Sequence, residues 1–142
     1  MNRGWRPLTS DDLAWVYYLC RKRYAASYTP IESEGWFLNT VFKNSAAFFA
    51  ARTEHAFVVA HLQIWPWTAN NLICELMLLC ADEGAMWEAI ALARASIDWA
   101  RSRRAIKWRI SSETPFDLTP LAMRVGAKTT APRCELDLRA AA

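Results

Sequence analysis

No apolar run in this chain approaches the roughly 20 residues that a bilayer span requires, which excludes a transmembrane helix. The opening Met1-Asn2-Arg3-Gly4-Trp5-Arg6 lacks the apolar stretch of a secretory signal. A soluble, intracellular, non-secreted protein is therefore expected. Histidine is scarce, with only His55 and His61, and the four cysteines (Cys20, Cys74, Cys80 and Cys134) show no C-x-x-C spacing. A zinc cluster needs more ligands than this, so no metal site is expected, and a thiol–histidine enzyme is disfavoured. Cys74 and Cys80 are expected on one face of a strand, ~20 Å apart and too far to bridge, so the thiols should be buried and reduced. Repeats, low-complexity tracts and Gly/Ser linkers are all missing. One domain spanning residues 1–142 follows, long enough for a real hydrophobic core. Excess charge is also lacking. The net charge is +3, and the basic groups Arg21-Lys22-Arg23 and Arg101, Arg103, Arg104, Lys107, Arg109 fall at or just beyond predicted helix C-termini, where cations suit the dipole. Asp11, Asp12, Glu32, Glu34, Asp82 and Glu83 dilute any basic face, so a nucleic-acid partner is not expected.

Apolar residues, in contrast, make up 54% of the chain, with eight tryptophans. Such an excess fills a core or supplies exposed anchors for a partner. Trp5, Trp36 and Trp108 read as core or half-buried covers. Trp65-Pro66-Trp67 reads either as a packed corner or as an exposed aromatic lip for a protein partner or an acyl chain.

Periodicity predicts a strand at Trp5–Leu8, then a helix capped by Thr9 or Ser10 with Asp11 and Asp12 in its first turn and Leu13, Val16, Tyr17, Cys20 and Tyr24 on one side. Tyr28-Thr29-Pro30 breaks the chain. A second helix is expected at Ile31–Lys43, with Trp36, Phe37, Val41 and Phe42 as its apolar set. Strands follow at Ala46–Arg52, Ala56–Trp65 and Leu72–Cys80, with turns at Thr53-Glu54-His55 and Asn70-Asn71. The third is almost wholly apolar, as befits a central strand covered on both faces. A long helix at Ala85–Arg104 should bury Met86, Ile90, Ala93 and Ile97 and wet Glu88, Arg94, Asp98 and Arg101. A strand at Ile106–Ser111, a short helix at Phe116–Val125 ending before Gly126, and a last strand at Cys134–Leu138 complete the order βααβββαβαβ. The fold class is α/β (α+β), with a mixed central sheet.

The segment Leu76–Ile90 carries most of the functional information. An apolar strand feeds the acidic turn Asp82-Glu83-Gly84, which opens a helix whose first N–H groups are exposed donors. Many α/β proteins hold a phosphate at such a turn. Trp87 and Glu88 stand where a phosphate wants glycine and no negative charge.

The element order, the opening Trp5-Arg6-Pro7-Leu8-Thr9-Ser10-Asp11-Asp12-Leu13, the helix end Ile97-Asp98-Trp99-Ala100-Arg101 and the turn Leu121-Ala122-Met123-Arg124-Val125-Gly126-Ala127 together resemble the GNAT acetyltransferase superfamily over nearly the whole chain. The wording is also similar to small GNAT-like proteins of tailed bacteriophages. The resemblance implies that acetyl-CoA diphosphate would be held by a Gln/Arg-x-x-Gly-x-Gly/Ala turn after the fourth strand. Anchored on the helix end, that motif falls over Gly84–Ala89: Gly84 takes the basic or amide position, Trp87 the first glycine, and Ala89 keeps the small one. Shifted by one gap, Gly84 becomes the loop glycine and Ala85 the small residue. The first alignment gives a degenerate cofactor site, with an indole and three carboxylates opposing a diphosphate.

The family also implies a carboxylate base, here Glu75 on the fourth strand or Glu113 after the fifth, and backbone donors near Leu78 and Leu79 for the thioester oxygen. The bland alternative for Glu75 is a strand side chain that finds an arginine or water. The family's tyrosine acid falls on Ala122, and no tyrosine follows Tyr28; Ser111 or Ser112 is the available substitute. Two functions are thus expected. In the first, the domain has lost acetyl-CoA catalysis, binds no cofactor, and docks on a protein partner through Trp65 and Trp67 as a component of a bacteriophage particle, in the host cytoplasm or the virion. In the second, it is an active acetyl-CoA-dependent N-acyltransferase that modifies an amine.

Overall fold

The computed structural model describes residues 4–24, 34–65, 71–110 and 118–128. The chain enters through a two-residue strand, β1 (Arg6–Pro7). Proline has no amide donor, which suits a sheet edge, and β1 is the outermost strand. Thr9, extended, then caps a 3₁₀ turn (Ser10–Asp12) that runs into α1 (Leu13–Tyr24). The Asp12 carboxylate reaches back to accept the Thr9 backbone N–H at 2.9 Å. α1 buries Leu13, Val16, Leu19, Cys20 and Tyr24; Leu19 takes the place expected for Tyr17, which is half-buried. The helix expected at Ile31–Lys43 appears, within the described residues, as a helical turn at 34–36 leading into a π-helical segment, α2 (Phe37–Val41). The Phe42 N–H bonds to the Phe37 carbonyl five residues back, at 3.0 Å.

β2 (Phe48–Arg52), β3 (Ala56–Trp65) and β4 (Asn71–Ala81) form an antiparallel meander. β5 (Lys107–Ile110) lies parallel to β4, reached through the crossover helix α3 (Met86–Ser102). The five strands lie in sequence order across one mixed sheet. α4 (Thr119–Arg124) follows, with Pro120 in its first turn and Gly126, at φ +88°, just past its end. The strand expected at Cys134–Leu138 and the break at Tyr28–Pro30 lie outside the described residues. Among the described residues, no helix is long and apolar enough to cross a membrane.

A bulge in β4 organises the core. Val59 of β3 pairs with Leu78, but its neighbour Ala60 pairs with Leu76, so Met77 is an extra residue. Alternation reverses there. Before the bulge, Cys74 and Leu76 face the α3 side; after it, Leu79 does, while Cys80 joins Val16, Leu19, Phe37 and Phe57 on the α1 side. This corrects the expectation that Cys74 and Cys80 share a face. Six residues apart on a regular strand they would, and the inserted residue puts them on opposite faces.

α3 packs on the sheet through Ala89, Ile90, Leu92, Ala93, Ser96 and Ala100. The small residues let its backbone approach closely, and Ser96 accepts a hydrogen bond from Trp108 Nε1 at 2.9 Å. The expected stripe of Met86, Ile90, Ala93 and Ile97 is therefore rotated: Ile97 is half-buried, and Met86 is 53% exposed because it lies at the helix start, beyond the sheet. Trp5, Trp36 and Trp108 are half-buried covers, as their positions suggested.

Candidate functional site

β4 ends in the loop Asp82–Ala85. The Asp82 N–H bonds to the His55 carbonyl at 2.8 Å, and the Ala85 N–H closes the turn on the Asp82 carbonyl at 3.1 Å. Gly84 sits at φ +76°, a left-handed conformation that disfavours a Cβ. Nothing lies within 4 Å of where that Cβ would be, so the penalty is conformational only. Gly84→Ala is expected to destabilise the fold by about 1 kcal/mol, read as a small drop in the thermal midpoint.

Ala85 caps α3 without any side-chain hydrogen bond to the helix. The first-turn donors of α3 are thus left uncapped by side chains beside a cavity of about 330 Å³. Arg23 of α1, Leu79 and Ala81 of β4, the loop Asp82–Ala85, Met86 and Ala89 of α3, Leu118, and Pro120 and Leu121 of α4 wall this cavity. Four residues named from the sequence as cofactor contacts, Leu79, Gly84, Ala85 and Ala89, are brought together here. The fifth, Leu78, is expected to act through its backbone N–H; its side chain packs toward the α1 cluster on the opposite face of the sheet, because the bulge has reversed the alternation.

The indole and carboxylates that set up the conflict in the sequence are directed elsewhere. Trp87 is 71% exposed, and the Arg124 guanidinium lies 5.3 Å from its ring centroid. Two residues after the inward-facing Ala85, a helix has turned by about 200°, so the indole faces solvent instead of the cavity. Glu88 accepts the His55 backbone N–H at 2.9 Å through one oxygen and lies 3.0 Å from His55 Nδ1 through the other. Burial pushes its carboxyl up, but hydrogen bonds from Thr53 and His55 outweigh this and hold it below its ordinary value. Glu88, expected on the wet face of α3, is therefore half-buried against the β2–β3 turn. Asp82 is salt-bridged to Lys22 at 2.7 Å, which lowers its pKa, helped by the Glu83 N–H. Glu83 lies 3.7 Å from Arg23. The basic run at the end of α1, which reads in the sequence as a solvated helix end, meets the acidic loop.

A second polar group lies further along β4. Register places Phe48, His61, Glu75 and Arg109 side by side across β2, β3, β4 and β5. Glu75 is buried at 8% exposure, and its Oε2 accepts from Arg109 Nε at 2.7 Å and lies 2.7 Å from Nη2 in the same ion pair. His61 is half-buried, with its ring centroid 4.6 Å from that of Phe48. Burial pushes its imidazole pKa down against the pull of the Glu75 charge, which keeps it neutral at pH 7. Sequence reasoning named Glu75 but missed His61 and Arg109 as its neighbours; only the strand register reveals them. Pairing of β4 with β5 runs from Ile73 to Leu76 and stops at the bulge. Beyond it, the Leu79 carbonyl accepts the buried Tyr24 hydroxyl at 2.9 Å.

Glu113, Ser111, Ser112 and Trp67 lie outside the described residues; Trp65 ends β3, its backbone paired with Asn71. Among the described residues, no three His, Cys, Asp or Glu side chains converge as a metal site.

No protein-family model matches the sequence, and no curated protein does. Solved structures do match in fold. A ribosomal-protein-alanine N-acetyltransferase from Brucella melitensis biovar Abortus 2308 superposes with a TM-score of 0.72 at 15% identity, over 94% of this chain and 99% of that one. A Trypanosoma brucei acetyltransferase gives 0.71 at 14%, over 94% and 98%. Glucosamine-6-phosphate N-acetyltransferase from Arabidopsis thaliana gives 0.73 at 10%, over 94% and 97%. With its meander, its bulged fourth strand and the crossover helix that opens beside a cavity, the chain has the GNAT acetyltransferase fold.

Proposed function

We propose that this protein is an acyl-CoA-dependent N-acyltransferase whose cofactor enters the cavity between the end of β4, the Asp82–Ala85 loop and α4. The observation that carries the reading is the state of that loop. The Trp87 indole is turned to solvent, all three nearby carboxylates are engaged by Lys22, Arg23 and His55, and the first turn of α3 has no side-chain cap. An uncapped helix start whose neighbouring carboxylates are tied up in ion pairs and hydrogen bonds suits a diphosphate, and 330 Å³ is within the range of small-molecule sites. Gly84, Ala85 and the first-turn N–H groups of α3 would hold the diphosphate, and Leu79 and Ala81 would flank the arm that carries the acyl group. The cofactor supplies the activated thioester. An amine acceptor must lose a proton before it attacks, and on the α1 face of the sheet two groups are suited to take it: the neutral imidazole of His61 and the Glu75 carboxylate held by Arg109.

Acetyl-CoA at a hundred times its dissociation constant should stabilise the fold by about 2.7 kcal/mol, a rise of several degrees in the thermal midpoint. The absence of any shift at millimolar concentrations would overturn the reading.

A second reading, a non-catalytic domain that docks on a protein such as a bacteriophage component, has its own support. Ala122 stands where the resembled family has a tyrosine acid. At the far end of the sheet, Ile64 and Ile106 are both exposed on either side of Leu72, close to the Trp65 end of β3. The same titration separates the two readings, since the docking domain gives no shift.

A further inference from the structure

The cavity ends at Met86, and the next residue along α3 is the exposed Trp87. The Arg124 guanidinium lies over its face, and Met123, also exposed, precedes that arginine on α4. Among the described residues Arg124 forms no ion pair. The rim therefore presents, among the described residues, a flat aromatic face, a cation without a carboxylate partner and the Met123 thioether, beside a cavity that Met86 and the start of α3 help to wall. An indole this exposed contributes little to the core. An indole face and a guanidinium together match a planar, electron-rich base that carries a phosphate.

We propose that Trp87 and Arg124 form the docking platform for the adenosine end of the nucleotide, with the indole stacking on the purine and the guanidinium pairing with the ribose phosphate. The inference rests on the acyl-CoA reading and deepens it, because it assigns the part of the ligand that a 330 Å³ cavity leaves outside. It also reverses a sign. From the sequence, Trp87 blocks the site and its removal should strengthen binding; in the fold, Trp87 stands beside the site and its removal should weaken binding.

Calorimetry with coenzyme A, adenosine 3′,5′-bisphosphate and phosphopantetheine, on wild type, Trp87→Ala and Arg124→Gln, tests it. Both side chains are exposed, so both variants should fold, which circular dichroism checks. Each substitution is expected to weaken coenzyme A and the bisphosphate at least tenfold and to leave phosphopantetheine within about twofold. Tryptophan fluorescence quenched by the bisphosphate in wild type should be lost in Trp87→Ala. Coenzyme A binding that is unchanged or tighter in Trp87→Ala, or a loss shared equally by phosphopantetheine, overturns the platform while leaving the acyltransferase reading intact. Wild type that binds the bisphosphate but not coenzyme A supports the platform and overturns the acyltransferase; binding of neither overturns both.

Discussion

Arg109→Leu should lower stability by about 3 kcal/mol, measured by urea unfolding. The substitution leaves Glu75, 8% exposed, with no cation in its row of the sheet. Removing one partner of a buried pair typically costs 3–5 kcal/mol. The lower end applies because the Arg109 side chain is itself 37% exposed and its charge is partly solvated. The double variant Glu75→Leu/Arg109→Leu removes both charges and should regain most of the loss. If the single variant is as stable as wild type, the pair does not hold this part of the sheet together. The same variants separate structural from chemical roles: a double variant that folds but cannot acylate places the carboxylate or the guanidinium in the reaction.

The second large effect centres on Asp12, which is 5% exposed. It accepts from Arg6 at 2.6 and 2.8 Å, from Arg52 at 3.0 Å and from the Thr9 N–H at 2.9 Å. It thereby joins the edge strand, the entry to α1 and the end of β2. Asp12→Ala should cost about 3 kcal/mol. The penalty stays at that end of the range because Arg52 retains other partners: it lies 3.5 Å over the Trp15 ring and donates to the Thr53 and Glu54 carbonyls. The Arg6 hydrogen bonds, against the opposing effect of burial, hold the Asp12 carboxyl well below its ordinary value of 3.8. A depressed folded pKa contributes stability that is complete above the unfolded value and is lost as pH falls toward the folded one. Wild type should therefore lose this contribution progressively below about pH 4, and Asp12→Ala should show a flatter acid limb. Parallel acid limbs for the two proteins would refute the assignment.

Most of the architecture was readable in the sequence because it follows from period and punctuation. The alternating and all-apolar runs place β2, β3 and β4 within one or two residues, and Thr9 and Gly126 mark helix ends. What escaped depends on single-residue geometry. Nothing local distinguishes Met77 from its neighbours, yet it is the inserted residue, and the facing of Leu78, Leu79 and Cys80 follows from it. The site was only partly legible for a related reason. Composition in the loop shows an indole and three carboxylates, but whether they oppose an anion depends on where each points. Lys22, 60 residues upstream of Asp82, and His55, 33 upstream of Glu88, decide that. Glu75 was recognisable as an acid in an apolar strand; its neighbours His61 and Arg109 become visible only through pairing register.

Asp82 and Glu88 bracket the loop, and both are braced by segments that belong to other parts of the fold: the end of α1 grips one side and the β2–β3 turn the other. A loop strutted in this way has both flanks tied to the rest of the fold before any guest arrives. Little freedom is then left to surrender on association, so affinity at this corner of the molecule depends on the fit of the guest rather than on its power to organise the host.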